Sequence, residues 1–220
     1  MIKSILKSGA LLFAFTIVSI FFVNWTQDST EEQIKYNEEQ LLILRLGELV
    51  SGYDNDILQD KYTQEMILHG VKQKINIYPA KRNQTVFAYL LEHTYPNGYS
   101  GDIRLLTGVS IDQKLLGVRV IAHKETPGLG DKIEIRKSNW IEQFSGLSLF
   151  NPNVDQWKVT RDGGMFDSFT GATITPRAIV TASYQLLELF AQKPHLIKIL
   201  PPEQARPAQG KLKKISHAIK

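Results

Sequence analysis

The sequence contains no cysteine. That excludes a disulfide framework, a thiolate zinc site, a cysteine-ligated iron–sulfur cluster, thioether-attached haem and a cysteine nucleophile. Charge of one sign is also missing from the body of the chain. The formal net charge is +4, but it sits in the last twenty residues. There Arg206, Lys211, Lys213, Lys214 and Lys220 face one acid, Glu203. The first 200 residues hold 21 basic and 21 acidic side chains. A neutral body lacks the basic face by which a nucleic-acid-binding domain grips phosphates. His69, His93, His123, His195 and His217 are scattered. None pairs with another ligand at helical spacing, so no metal site is expected. Gly-x-Ser-x-Gly is absent, and with it the nucleophile elbow. What is present is an apolar share of 43%, enough for a folded core.

Residues 8–25 carry no charge and are rich in Leu, Phe, Ile and Val. As a helix they extend ~27 Å, against ~30 Å for a bilayer's hydrocarbon core. The run ends Ile20-Phe21-Phe22-Val23-Asn24-Trp25, with large side chains where a signal peptidase needs small ones. An uncleaved anchor is therefore expected. Lys3 and Lys7 precede it, and Asp28, Glu31 and Glu32 follow. The positive-inside bias then keeps residues 1–7 cytoplasmic and carries residues 26–220 to the periplasmic side, with Trp25 at the far interface.

The expected organisation is an α+β domain: an antiparallel sheet meander packed by helices, preceded by a single transmembrane helix. Residues 28–50 read as a helix, and residues 56–66 as a weaker one. Together they make a helical stalk over 26–66. Strands are expected at 74–78, 85–95, 102–109 and 114–123, with turn residues between them. A short helix capped by Ser138 is expected at 138–144, and a short strand at 157–160. The last helix starts at Thr175-Pro176, with Thr175 as cap and Pro at the favoured first position. Ile179, Ser183, Leu186, Leu187 and Phe190 share its apolar face. The domain spans 67–195, and a basic tail follows at 196–220.

Three loops carry candidate chemistry. In Asp167-Ser168-Phe169-Thr170-Gly171-Ala172-Thr173-Ile174-Thr175-Pro176, hydroxyls and small residues precede a helix whose N-terminus suits a phosphate. An ordinary helix start explains the same residues. The loop Glu125-Thr126-Pro127-Gly128-Leu129-Gly130 is no dinucleotide fingerprint, for it lacks a third glycine and a βαβ setting. Its glycines could turn N–H groups toward a ligand, and Lys124 or Lys132 could offset negative charge on it. A tight connection with solvated charges is the plain alternative. Tyr99-Ser100-Gly101 reads as a ligand-facing loop or as a turn with a buried Tyr.

The order of these residues resembles the flavinylation motif of flavoprotein subunits in bacterial ion-pumping redox complexes: Asp, a few residues, Ser or Thr, then Gly-Ala-Thr. Asn97-Gly98-Tyr99-Ser100-Gly101 and the run from His123 to Ile133 are similar to the RnfG component of the Rnf (Rsx) complex. The likeness covers about residues 98–180. It implies FMN esterified through its phosphate to Thr173 by a separate flavin transferase that uses FAD, with Asp167 in the recognition motif. It implies further flavin contacts from Tyr99, Ser100, Glu125, Thr126, Gly128, Leu129, Gly130, Lys132, Thr170, Gly171, Ala172 and Thr175. The activity implied is electron carriage within a membrane ion-translocating oxidoreductase, beside its other subunits and membrane lipid, with no turnover by this chain alone. Two other readings stay open here. One is the FMN subunit of a sodium-pumping quinone reductase, which shares the motif. The other is a cofactor-free extracytoplasmic binding or assembly module.

Overall fold

The computed structural model describes residues 2–192. His195, His217 and the tail expected at 196–220 lie outside the described residues. The chain divides into two units, one ending at Leu44 and one beginning at Arg45.

The first unit is most of α1 (Ile2–Leu49), a single helix of 48 residues. Anchor and stalk helix, expected as separate elements, are therefore one. The apolar run Leu11–Trp25 is exposed throughout, and α1 is the one helix among those described that is long and apolar enough to cross a membrane.

The second unit is built on a five-stranded antiparallel sheet: β1 (Tyr62–Leu68), β2 (Val71–Arg82), β3 (Thr85–Tyr95), β4 (Ile103–Ser110) and β5 (Leu115–Ala122). The strands lie in chain order, as the expected meander requires. β1 corrects the helix expected over 56–66. Its burial alternates along the strand, and Tyr62 to Leu68 pair with Ile77 to Val71. The turn after it explains why: His69 (φ 58°) and Gly70 (φ 76°) both take positive φ, the geometry of a tight two-residue hairpin. Asn83 and Gln84 repeat it between β2 and β3.

The two faces of the sheet are covered differently. On one, α2 (Ile174–Gln192) and a layer of short 3-10 turns enclose the main core, which includes Ile75, Leu91, Leu105, Val118, Ile141 and Phe166. The expected apolar face of α2 is buried as read: Ile179, Ser183, Leu186, Leu187 and Phe190. Each fully buried Leu or Ile contributes ~1.5–3 kcal/mol. On the other face, the last turn of α1 packs between β4 and β5. Leu46 is fully buried, and a Cβ on Gly117 would meet Leu49 Cδ2 at 2.9 Å. Glu48 binds Arg45 on its own helix (2.8 Å) and Arg119 on β5 (2.6 Å).

Two further expectations change. The helix at 138–144 is a 3-10 helix, Asn139–Phe144, capped as expected by Ser138, whose Oγ accepts the Trp140 N–H at 3.0 Å. Residues 157–160 form no strand. Val159 makes one parallel bridge to Phe166 before a 3-10 turn at Thr160–Asp162, because Gly163 (φ 83°) folds the chain back at once.

Candidate functional site

β3 and β5 end, and β4 begins, at the same end of the sheet. The loops 96–102 and 123–131 therefore emerge side by side there, against the start of α2. Together they form a cleft of about 170 Å³.

Glu125 joins the three segments. It is buried, with 4% of its surface exposed. One carboxylate oxygen accepts the Ser100 N–H at 3.0 Å. The other accepts the hydroxyl of Thr175, which is fully buried in α2. A buried carboxylate is tolerated only with such donors. Its own backbone N–H is donated to His123 Nδ1 at 3.0 Å, so the ring's hydrogen lies on Nε2, which bonds Glu134 at 3.0 Å. Burial works to raise the Glu134 carboxyl, but the hydrogen bonds from His123 and Arg136 and the Arg136 charge outweigh it and hold it low.

Glycine is required where the segments meet. A Cβ on Gly130 would stand 2.9 Å from Thr175 Oγ1 and 3.0 Å from Glu125. On Gly98 it would stand 2.4 Å from the Gly101 carbonyl oxygen. The loop 125–131 closes on itself through Gly130 N–H to Thr126 O (3.0 Å) and Gly128 N–H to Asp131 Oδ1 (2.8 Å).

The motif segment is held from behind. Trp140 Nε1–H donates to the Asp167 carbonyl at 2.8 Å, and the Phe169 ring packs edge-on against Trp140, 5.0 Å between centroids. Gly171 (φ 83°) then completes a turn in which the Ala172 N–H meets Phe169 O at 3.2 Å. α2 begins at Ile174, two residues earlier than the sequence implies. This corrects the cap. Thr173, whose carbonyl accepts the Arg177 N–H at 3.3 Å, holds the cap position, and the hydroxyl of Thr175 is taken by Glu125 instead. The N–H groups of Ile174 and Thr175 have no acceptor within the helix, and Pro176 has no N–H to offer. Arg161 Nη1 donates to Thr173 Oγ1 at 3.2 Å.

Of the residues singled out in the sequence, Tyr99, Glu125, Thr126, Leu129, Gly130, Gly171, Ala172, Thr173 and Thr175 line the cleft. Tyr99 is 67% exposed at its edge, so the alternative of a buried Tyr is wrong. Ser100 contributes its N–H to Glu125. Thr170, Gly128 and Lys132 are exposed and do not line the cleft. The Asp167 carboxylate is exposed and accepts from Gln143 Nε2 at 3.4 Å, outside the cleft. Sequence reasoning missed Ile174, which is 45% exposed on the cleft wall, and Arg161. Neither has a local signal, since Arg161 meets Thr173 across twelve residues. Among the described residues no cluster of three or more potential ligands could hold a metal.

The donor set suits a flavin mononucleotide. The exposed side chains of Tyr99, Leu129 and Ile174 offer apolar surface to a flat ring. The start of α2 offers hydroxyl, N–H and guanidinium groups to a phosphate. A sheet meander with a phosphate-competent helix start at one end, preceded in the chain by a long apolar helix, fits a helix-anchored flavin-binding protein. Comparison with known proteins agrees: residues 98–188 match the FMN-binding domain family, and residues 1–49 match the RnfG N-terminal region. The chain belongs to the RnfG family of ion-translocating oxidoreductase complex subunits. It is 41% identical to the family's member in Vibrio cholerae over 194 residues, 87% of this chain and 93% of the relative. Identity to the Pseudomonas aeruginosa protein is 41% over 206 residues (92% and 95%), and to that of Pseudoalteromonas atlantica 46% over 182 residues (81% and 84%).

Proposed function

We propose that this protein is the membrane-anchored electron carrier of an Rnf-type complex, holding FMN covalently through its phosphate on Thr173, with residues 26–220 on the periplasmic side. The observation that carries the reading is the different fate of three neighbouring threonines. Thr175 is buried and its hydroxyl is committed to Glu125. Thr170 is exposed outside the cleft. Thr173 lines the cleft at the helix start, with Arg161 on its hydroxyl.

FMN, when bound, supplies reversible one- and two-electron transfer. The protein's part is to hold it. The N–H groups of Ile174 and Thr175 and the positive helix end favour the phosphate, and Tyr99, Leu129 and Ile174 shield apolar surface from water. Attachment requires Thr173 Oγ1 to displace AMP from FAD. A phosphorus–oxygen bond forms to Oγ1, the pyrophosphate bond breaks, and the hydroxyl proton passes to a base. Among the described residues no such base adjoins Thr173 Oγ1, whose hydrogen-bond partner is the cation Arg161. A separate flavin transferase therefore supplies it, with a bound cation. Asp167, exposed outside the cleft, is accessible for that enzyme to recognise. The other subunits and membrane lipid complete the setting.

Peptide mapping of protein made with a flavin transferase tests the reading. The FMN mass should fall on the fragment following Arg161, on Thr173. Colourless protein, or an adduct on Thr170 or Thr175, overturns it.

A further inference from the structure

We propose that Arg161 is the positioning residue for the phosphodiester on Thr173: its guanidinium, which holds the acceptor oxygen in the unmodified chain, pairs with the phosphate oxygens once the ester is formed. The inference rests on the reading of Thr173 as flavin acceptor and adds to it a residue outside the Gly-Ala-Thr motif.

An exposed arginine touching a hydroxyl carries little weight by itself. Here its backbone is fixed independently of that contact. The Arg161 N–H donates to Ser168 Oγ at 3.1 Å, and Ser168 Oγ also meets Thr160 Oγ1 at 3.1 Å. The next residue, Asp162, takes Nε and Nη2 of Arg177 in the first turn of α2. That pairing, with the charges of Arg177, Arg161 and Lys158, holds the Asp162 carboxyl low. Gly164 seats the turn, since a Cβ there would lie 2.0 Å from the Lys158 carbonyl oxygen. The turn at Thr160–Asp162 is thus fastened to the motif loop on one side and to α2 on the other, and Arg161 is aimed at Thr173 from between them.

Charge points the same way. Arg177 is spent on Asp162 through both arms of its fork, whereas the hydrogen bond that the Arg161 guanidinium makes is to a neutral hydroxyl. A phosphodiester has one negative charge and two non-bridging oxygens, which a planar guanidinium matches. Those oxygens lie two bonds from Thr173 Oγ1, the atom Arg161 already contacts. A small shift of a long, exposed side chain reaches them, and the N–H groups at the start of α2 remain for the rest of the phosphate.

The test uses the full chain produced with a flavin transferase, as wild type, Arg161→Gln, Arg161→Lys and Lys158→Gln, each purified with its FMN. The readout is the phosphorus NMR resonance of the phosphodiester. Expected are a displaced resonance in Arg161→Gln and a smaller displacement in Arg161→Lys, which keeps the charge but not the fork. Lys158→Gln removes an equal charge nearby and should leave the resonance where it is. The lysine variant preserves a measurable comparison should the glutamine variant fold poorly. Wild-type and Arg161→Lys resonances that coincide, or equal displacement in Lys158→Gln, overturn the assignment of Arg161 alone. A wild-type chain with no phosphodiester resonance overturns the acceptor reading and this one with it.

Discussion

Thr175 gives its hydroxyl hydrogen to Glu125, fifty residues earlier in the chain, and neither side chain meets solvent to any extent. The bond fastens the start of α2 to the loop that follows β5. It also removes Thr175 from competition for a ligand. Thr175→Ala leaves a buried carboxylate with one donor fewer, which costs ~1–3 kcal/mol. The expected outcome is a lower denaturation midpoint with FMN still attached. Thr173→Ala, at a half-buried cap, should remain folded with a loss of ~1 kcal/mol and carry no covalent flavin. Absorbance of the denatured proteins near the flavin maximum separates the two.

Gly130 lies against that same bond. Gly130→Ala places a methyl group 2.9 Å from Thr175 Oγ1, so loop and helix must part. Overpacking of this kind costs ~1–3 kcal/mol. Because the cleft is made by these two segments, flavin loading should fall along with stability. Gly146→Ala is the control: a Cβ there meets nothing within 4 Å, while its φ of 80° exposes it to backbone strain alone. Unchanged loading in Gly130→Ala would show that the cleft does not depend on the contact.

A buried chain of rings on the core side of the sheet makes stability pH-dependent. His69 Nδ1 meets Gln185 Oε1 of α2 at 2.7 Å, His69 Nε2 meets His93 Nδ1 at 3.0 Å, and His93 Nε2 meets Thr107 Oγ1 at 2.9 Å. Burial pushes both rings down, His93 well below the ordinary imidazole value and further still through the neighbouring His69. The unfolded chain takes up protons near ~6.5 that the folded chain refuses. Stability is therefore full above that pH and is lost as the pH falls through and below it. The Asp60 and Glu134 carboxyls, held low, lose their contribution only at lower pH still. Urea midpoints should be level from about pH 8 to 7 and drop from about 6.5 to 5. His69→Asn keeps a residue suited to the positive φ of the hairpin but breaks the chain of rings. It should cost ~1–2 kcal/mol at pH 8 and flatten the acid slope.

The anchor has its own test. Residues 8–25 carry no charge and end in large side chains where a signal peptidase needs small ones, so the mature chain should keep its first residues. A C-terminal reporter should be active outside the cytoplasm. An N-terminus found beyond Trp25, or a reporter active only inside, contradicts this topology.

Much of this was legible in the sequence because the rules involved act over a few residues. Alternation and turn residues yield the meander in order, and 3.6-residue spacing yields the buried face of α2. Seven residues of β1 are too few for periodicity to decide, and pairing with β2 made them a strand. The loop residues near the cleft were visible as glycines and hydroxyls. The resemblance singled out Thr173, but the sequence placed the start of α2 two residues too late and did not show that Glu125 takes the Thr175 hydroxyl. Tertiary structure alone brought Arg161 to Thr173, Glu125 to Thr175 and His69 to Gln185, across 12, 50 and 116 residues. Contacts at such separations are set by sheet register and by the docking of α2. Those are properties of the packed core, and no short stretch of sequence encodes them.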